Sequence, residues 1–282
     1  MKNAIQLDGY SGYEVLLYKN NNQIDVVRKK SREISQNDRL KKQYEKHLFF
    51  LELKNDLFFI PPVIGQGQEG GLFFYEYQFI QGETFIHFIQ KNLADNIRII
   101  LDKILKILEQ LQQNRVFYEQ EAKNRKFFDS VAEKILNNLE KCQLDLSIEN
   151  KILKKIHQLK NHSLKTLCHG DFTFDNLIID QDLNIWLIDF LDLFYPHYWF
   201  DISKLFQDID GKWYELKHNI RLPNNKMLYI KDYLFQRIKK VDQEYIESHS
   251  FLLALVFLRI LPYAKNTNDK KIIKNKIEYF IN

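Results

Sequence analysis

Over the first eighty residues, apolar positions come in short strand-length blocks separated by turn residues. Leu16, Leu17 and Tyr18 form one block, and the Asn20-Asn21-Asn22 turn leads into a second, Ile24 to Lys29. From Asp38 to Leu53 the period changes: Leu40, Tyr44, Leu48 and Leu51 recur at helical spacing behind an Asn37 or Asp38 N-cap. Pro61-Pro62 closes that unit. Strands are expected at Val63-Ile64 and, after turns at Gly65-Gln66-Gly67 and Gly70-Gly71, from Leu72 to Ile80. Beyond Gln81-Gly82-Glu83 the pattern is helical: residues 97–111, 127–139, 152–159, 201–208, 227–240, 243–261 and 271–281. The exception is a pair of short strand-like runs, Leu177-Ile178-Ile179 and Ile185 to Ile188. The pattern predicts an α+β chain of two lobes, a small β-rich one over residues 1–82 and a larger helical one over residues 83–282.

Composition narrows the class. Hydrophobic residues make up 45% and charged residues 28%, values of an ordinary globular protein. Net charge is +4, from 41 Lys+Arg against 37 Asp+Glu, too balanced for a nucleic-acid footprint. Cys142 and Cys168 stand alone, so neither a disulfide framework nor a thiolate metal site is expected. The start has no signal-length apolar core. The run FLLALVFL at 251–258 is shorter than a membrane span and reads as a buried helix. A cytoplasmic protein without a membrane span is the expectation.

Chemistry concentrates between Leu167 and Asp192, in LCHGDFTFDNLIIDQDLNIWLIDFLD. Asp171 and Asn176 share one turn, and the return strand ends at Asp189. Phosphoryl transfer needs metal ions on the phosphates, ligands to hold them, and a carboxylate to orient the attacking hydroxyl. Mg²⁺ is hard, takes oxygen donors, and needs only one or two protein ligands. Any one of these residues alone reads as a turn residue. The ordered set of His-Gly-Asp, an Asn five residues on, and Asp-Phe after a strand asks for more.

HGDFTFDN followed by LIDF resembles the catalytic loop and metal aspartate of the aminoglycoside phosphotransferase and choline kinase superfamily, which are protein-kinase-like small-molecule kinases. The likeness is dense over residues 166–207, and the order of elements agrees along the chain. Gly170 stands where protein kinases have Arg. The resemblance implies a protein-kinase-like fold and transfer of the ATP γ-phosphate to a small-molecule hydroxyl with Mg²⁺. It makes Asp171 the catalytic base, Asn176 and Asp189 the metal ligands, His169 a support of the loop, and Asp201 a brace that opens a helix.

For the nucleotide, VVRKKS resembles the strand that carries the phosphate-pairing cation. Arg28 and Lys29 point to opposite faces of a strand, so only one of them serves. The family register favours Arg28, and the V-A-I-K spacing of protein kinases favours Lys29; we take Arg28. Glu45 is the expected helix partner. Gln78, Phe79 and Ile80 resemble the hinge that binds the adenine edge through backbone groups.

The acceptor is read from the aromatic neighbourhood after Asp189, where Asp192, Tyr195, Trp199 and Trp213 are candidates. Aromatic faces hold a quaternary ammonium or stack on a sugar ring, and they equally fill cores. Aminoglycosides are polycations that favour an acidic protein, so the +4 balance points instead to a sugar or a choline-like amino alcohol. Two other readings compete. One is a nucleotide-binding pseudokinase acting as an interaction module, opposed by the complete set of Asp171, Asn176 and Asp189. The other is a protein kinase, opposed by Gly170 and by the short path from Asp189 to Asp201.

Overall fold

A computed structural model of the chain describes residues 4–7, 12–53, 55–114, 121–142, 144–156, 166–191, 196–264 and 266–282. It forms two compact units. The first contains the N-terminal part through Phe88 together with residues 175–192; the second contains residues 89–174 and 193–282.

Unit one is built on a five-stranded antiparallel sheet in the order β1-β2-β3-β5-β4, from β1 (Ile5–Gln6), β2 (Glu14–Lys19), β3 (Asp25–Lys30), β4 (Val63–Glu69) and β5 (Leu72–Gln78). Gly65-Gln66-Gly67, expected as a turn, lies within β4 instead, after a register shift between Val63 and Gly65. A Cβ at Gly67 would lie 2.8 Å from the Phe74 ring of β5, so any other residue there asks that ring to shift. The reversal falls to Gly70 and Gly71, both at positive φ. Helix α1 (Asn37–Glu52) turns Leu40, Gln43, His47 and Phe50 inward. The core of Tyr13, Val27, Leu40, Phe73, Tyr75 and Tyr77 joins that helix to the strands. A second, three-stranded sheet, β6 (Glu83–Thr84), β7 (Leu177–Ile179) and β8 (Ile185–Leu187), completes the unit. Gly82 lies so close to it that a Cβ would meet Ile179 O at 2.7 Å.

Unit two is helical. It contains α3 (Ala94–Gln113), α4 (Glu121–Cys142), α5 (Leu146–Ile156), α6 (Tyr198–Ile209), α7 (Trp213–His218), α8 (Asn224–Val241), α9 (Gln243–Ile260) and α10 (Thr267–Ile281), while α2 (Phe85–Lys91) straddles the division. The α3 helix buries Ile97, Ile100, Leu101, Ile104, Ile107, Leu108 and Leu111, one stripe at 3.6 spacing. Every residue of α6 is buried. Gln243–Tyr263 has the length and composition of a membrane span, and two thirds of its apolar window is buried within the fold. A core helix passes the same test, as the sequence expectation for 251–258 requires. The expected helical end at 157–159 lies outside the described residues.

Candidate active site

One group of candidate residues belongs to unit one. Along β3 successive side chains alternate between faces. Lys29 faces α1 and is 1% exposed. Its Nζ lies 2.9 Å from Asp189 Oδ1. Asp189 follows β8 with φ +60, a left-handed backbone that a non-glycine residue adopts at a cost of roughly 1–2 kcal/mol. Phe190 beside it is anchored on α1 by rings of Phe50 and His47, with centroids at 4.5 and 5.5 Å. Asn176 is buried, and its backbone oxygen accepts the Ile188 N–H at 3.2 Å, which ties the residue to the start of β7 and the end of β8. Asn176 and Asp189 thus bring an amide and a carboxylate, both hard oxygen donors, into one small unit. That set fits Mg²⁺, which needs few protein ligands and fills the rest with water and phosphate oxygen.

Arg28 corrects the expected register by one residue. It lies on the opposite face of β3, opposite Leu16 and Glu76. There its guanidinium is held at 2.7 Å by both Glu69 and Glu76 and sits 3.7 Å over the Phe74 ring. The expected helix partner is corrected as well. Glu45 is exposed, because the 3.6 period that turns residues 40, 43, 47 and 50 inward turns 45 outward. Among the polar residues on the inward face is Gln43, 1% exposed, whose amide has no hydrogen-bond partner among the described residues. His47, one turn further on, donates its Nε2–H to Pro61 O, 2.7 Å away, and burial holds its pKa below the ordinary imidazole value.

At the candidate hinge, Gln78 and Phe79 give their N–H groups to Pro62 O and Asp25 O, both at 2.9 Å. Of the three hinge residues, Ile80 alone keeps its backbone N–H outside such bonds among the described residues.

A separate group of candidate residues belongs to unit two and is organised by one face of α6. Asp201, Lys204 and Asp208 recur at i, i+3 and i+7, so they line one stripe of the helix. Asp201 accepts the backbone N–H groups of His169 at 2.6 Å and Gly170 at 2.7 Å. Asp208 accepts that of Phe174 at 2.8 Å. Lys204 Nζ lies 3.1 Å from Asp171 Oδ1 and donates to Gln207 Oε1 at 2.9 Å. Gly170 has φ +92, so the residue after the histidine is a glycine for a conformational reason. The fully buried His169 accepts the Asp171 N–H at Nδ1, 3.2 Å. Burial would raise the Asp171 pKa, but the charges of Lys204 and Arg259 outweigh it and hold the carboxyl below its ordinary value.

Sequence reasoning passed over Lys204, Gln207 and Asp208. Their signal was present: charged residues at i, i+3 and i+7 within an otherwise apolar segment. Of the acceptor candidates, Asp192 and Tyr195 lie outside the described residues. Trp199 is corrected: at 2% exposure it is a core residue whose Nε1 donates to Asp242 at 2.6 Å. Trp213 is half-buried and edge-on to Phe257. A cleft of about 630 Å³ in unit two is lined by α3, α6 and α8, and one of about 650 Å³ in unit one by the hinge and the β7–β8 turn. Neither includes Asp171, Asn176 or Asp189 among its lining residues.

An antiparallel sheet with a cation facing a carboxylate, and a helical unit holding a His-Gly-Asp loop, are the parts of a protein-kinase-like phosphotransferase. The chain belongs to the phosphotransferase enzyme family, whose model matches residues 9–222, and is a small-molecule kinase of that family. A search of curated protein sequences finds no match. Solved structures share the fold. APH(2")-IIia, in a complex with GDP and kanamycin, has 18% identity and a TM-score of 0.62, covering 99% of this chain and 92% of its own. The amicoumacin kinase hAmiN, in complex with AMP-PNP, Ca²⁺ and Ami, has 14% identity and a TM-score of 0.59, covering 99% and 87%. Macrolide 2'-phosphotransferase type I has 10% identity and a TM-score of 0.60, covering 98% and 91%.

Proposed function

We propose that the protein transfers the γ-phosphate of ATP, with Mg²⁺, to a hydroxyl of a small molecule, a sugar or a choline-like amino alcohol. The observation that carries this reading is the Lys29–Asp189 pair, which sets a buried ammonium beside a carboxylate on a left-handed backbone. An ammonium on a buried strand suits a phosphate oxygen as a point charge. Lys29, rather than Arg28, therefore pairs the nucleotide phosphates, because both donor faces of Arg28 are taken by Glu69 and Glu76.

In this reading unit one holds the nucleotide. Ile80 offers its backbone N–H to the adenine edge, and Asn176 and Asp189 ligate the metal. A Mg²⁺ ion held there would supply charge neutralisation at the transferring phosphate. Unit two supplies Asp171, which accepts a hydrogen bond from the acceptor hydroxyl and orients it toward the phosphorus. His169, Gly170 and Asp201 keep that loop in place. The net charge of +4 disfavours a polycationic acceptor and supports a neutral or singly charged one.

The test is ADP release by the purified protein with Mg·ATP against sugars, amino alcohols and nucleosides, run beside Asp171→Asn. Turnover in the wild type, with Asp171→Asn losing transfer and keeping Mg·ATP binding, is the expected result. Silence across the panel together with no Mg·ATP thermal shift would sink the phosphotransferase reading. Binding without turnover would favour a pseudokinase.

A further inference from the structure

We propose that Lys204 is a positioning residue of the transfer reaction, holding the Asp171 carboxylate from the α6 side so that one oxygen is fixed and the other is presented to the acceptor hydroxyl. The inference rests on the reading of Asp171 as the group that orients that hydroxyl.

The loop from His169 to Asn176 contains neither Lys nor Arg. The cation comes from α6, a helix buried along its whole length. Lys204 is 5% exposed there, and its ammonium makes two contacts, to Asp171 Oδ1 and Gln207 Oε1. An ammonium has three donors. Burying one is costly, and replacing a whole buried ion pair by apolar residues of similar volume is often neutral or stabilising. Stability is therefore a poor reason for a lysine at this position.

Its surroundings give a better one. Asp201 and Asp208, three residues before and four after Lys204 on the same stripe, fasten the loop backbone at His169, Gly170 and Phe174. The backbone on either side of Asp171 is thus fixed to the helix that carries its cation. Lys204, on the same stripe, takes Asp171 Oδ1 and so constrains the side-chain torsions of Asp171. The Asp171 side chain keeps 27% exposure, so the carboxylate is held without being sealed.

The charged groups facing Asp171 are Lys204 of α6, Arg259 of α9 and His169 of the loop itself, and Asp208 faces Lys204 from its own helix. The cations keep the carboxyl ionised. A carboxylate so held is a weak base and a good hydrogen-bond acceptor. A loose phosphoryl-transfer transition state asks for that combination, since it needs orientation more than early proton removal.

The experiment compares wild type, Lys204→Met and Lys204→Met/Asp171→Asn for kcat, KM of ATP, the pH profile of kcat and thermal stability. For Lys204→Met, kcat is expected to fall at least about tenfold, toward the ~10²–10⁴ range that positioned acid–base groups contribute. KM of ATP should stay within about threefold, since the nucleotide groups are elsewhere. The acid limb of the profile should move to higher pH, because a carboxyl that loses its cation protonates more easily. The melting temperature records separately what removing one partner of a buried pair costs in stability; the shifted acid limb at an unchanged KM of ATP is the readout that a purely structural lysine would not give. The double variant should be no slower than Asp171→Asn alone. A Lys204→Met enzyme with wild-type kcat and an unmoved acid limb overturns the proposal. So does a fall in kcat matched by an equal rise in KM of ATP. If Lys204→Met does not fold, Gln207→Leu removes the ammonium's second acceptor and keeps the charge; a smaller fall in kcat is expected, and wild-type kcat overturns the proposal. A wild type that turns over no acceptor removes the phosphotransferase reading, and this inference with it. An active wild type beside an unimpaired Lys204→Met removes the inference alone.

Discussion

Lys29 Nζ lies 2.9 Å from Asp189 Oδ1, while the neighbouring Arg28 is turned to the other face of β3 between Glu69 and Glu76. One residue of register therefore separates a group committed to the sheet surface from one facing the candidate metal carboxylate. Lys29→Ala is expected to weaken Mg·ATP binding by about 10- to 100-fold, the worth of a charged hydrogen bond of ~1.5–3 kcal/mol. Arg28→Ala should leave that affinity within about threefold. Calorimetric titration of both variants checks this, and the reverse ranking would return the phosphate role to Arg28.

Gly170 at φ +92 and the Asp201 carboxylate form a second dependency. Any side chain at 170 is strained in this backbone, so Gly170→Ala should cost about 1–2 kcal/mol and reduce turnover more than nucleotide affinity. Asp201→Ala strands two buried N–H groups and should cost about 2–5 kcal/mol. Urea denaturation measures both. A Gly170→Ala protein of wild-type stability would show that the loop accepts another conformation.

Gln43 makes a third case. Its amide is 1% exposed and finds no partner among the described residues. A buried unsatisfied amide costs roughly 1–3 kcal/mol, so Gln43→Leu should be neutral or stabilise unit one. A loss of more than about 1 kcal/mol in the denaturation midpoint analysis would mean that the amide has a role in holding α1.

What could be read from the sequence follows from the range of each signal. The strands around Leu16–Tyr18 and Leu72–Ile80 and the helices over 97–111 and 227–240 were legible because burial imposes a local period. The Asp171, Asn176 and Asp189 spacing was legible because the turn and hairpin that present these residues are themselves local. The choice between Arg28 and Lys29 was not, since it depends on which face of β3 meets α1, a tertiary fact. Glu45 failed for the same reason: charge suggested a partner, and helical phase turned it outward. Gly65-Gln66-Gly67 looked like a turn because glycine weakens strands, yet the close approach of the Phe74 ring suits a glycine inside β4. Trp199 was read as a possible ligand face because an aromatic after a metal aspartate does not announce its depth.

The last prediction concerns acid. Asp210 lies at the end of α6, with Lys231 Nζ of α8 at 2.6 Å and His249 Nε2 of α9 at 3.3 Å. Burial would raise its pKa, but the bonds to His249 and Lys231 outweigh that and hold it below the ordinary 3.8. A carboxyl with a folded-state pKa depressed below the unfolded value contributes stability that is fully present above the unfolded value. That contribution is lost as pH falls through the folded value. Unit two should therefore lose part of its stability below about pH 4, and Asp210→Asn should flatten that acid limb while lowering stability at neutral pH. Lys231→Met should act in the same direction with a smaller effect, since His249 remains. Melting curves from pH 7 to pH 3 read all three proteins. Parallel curves for wild type and Asp210→Asn would show that this carboxyl does not couple α6, α8 and α9 to pH.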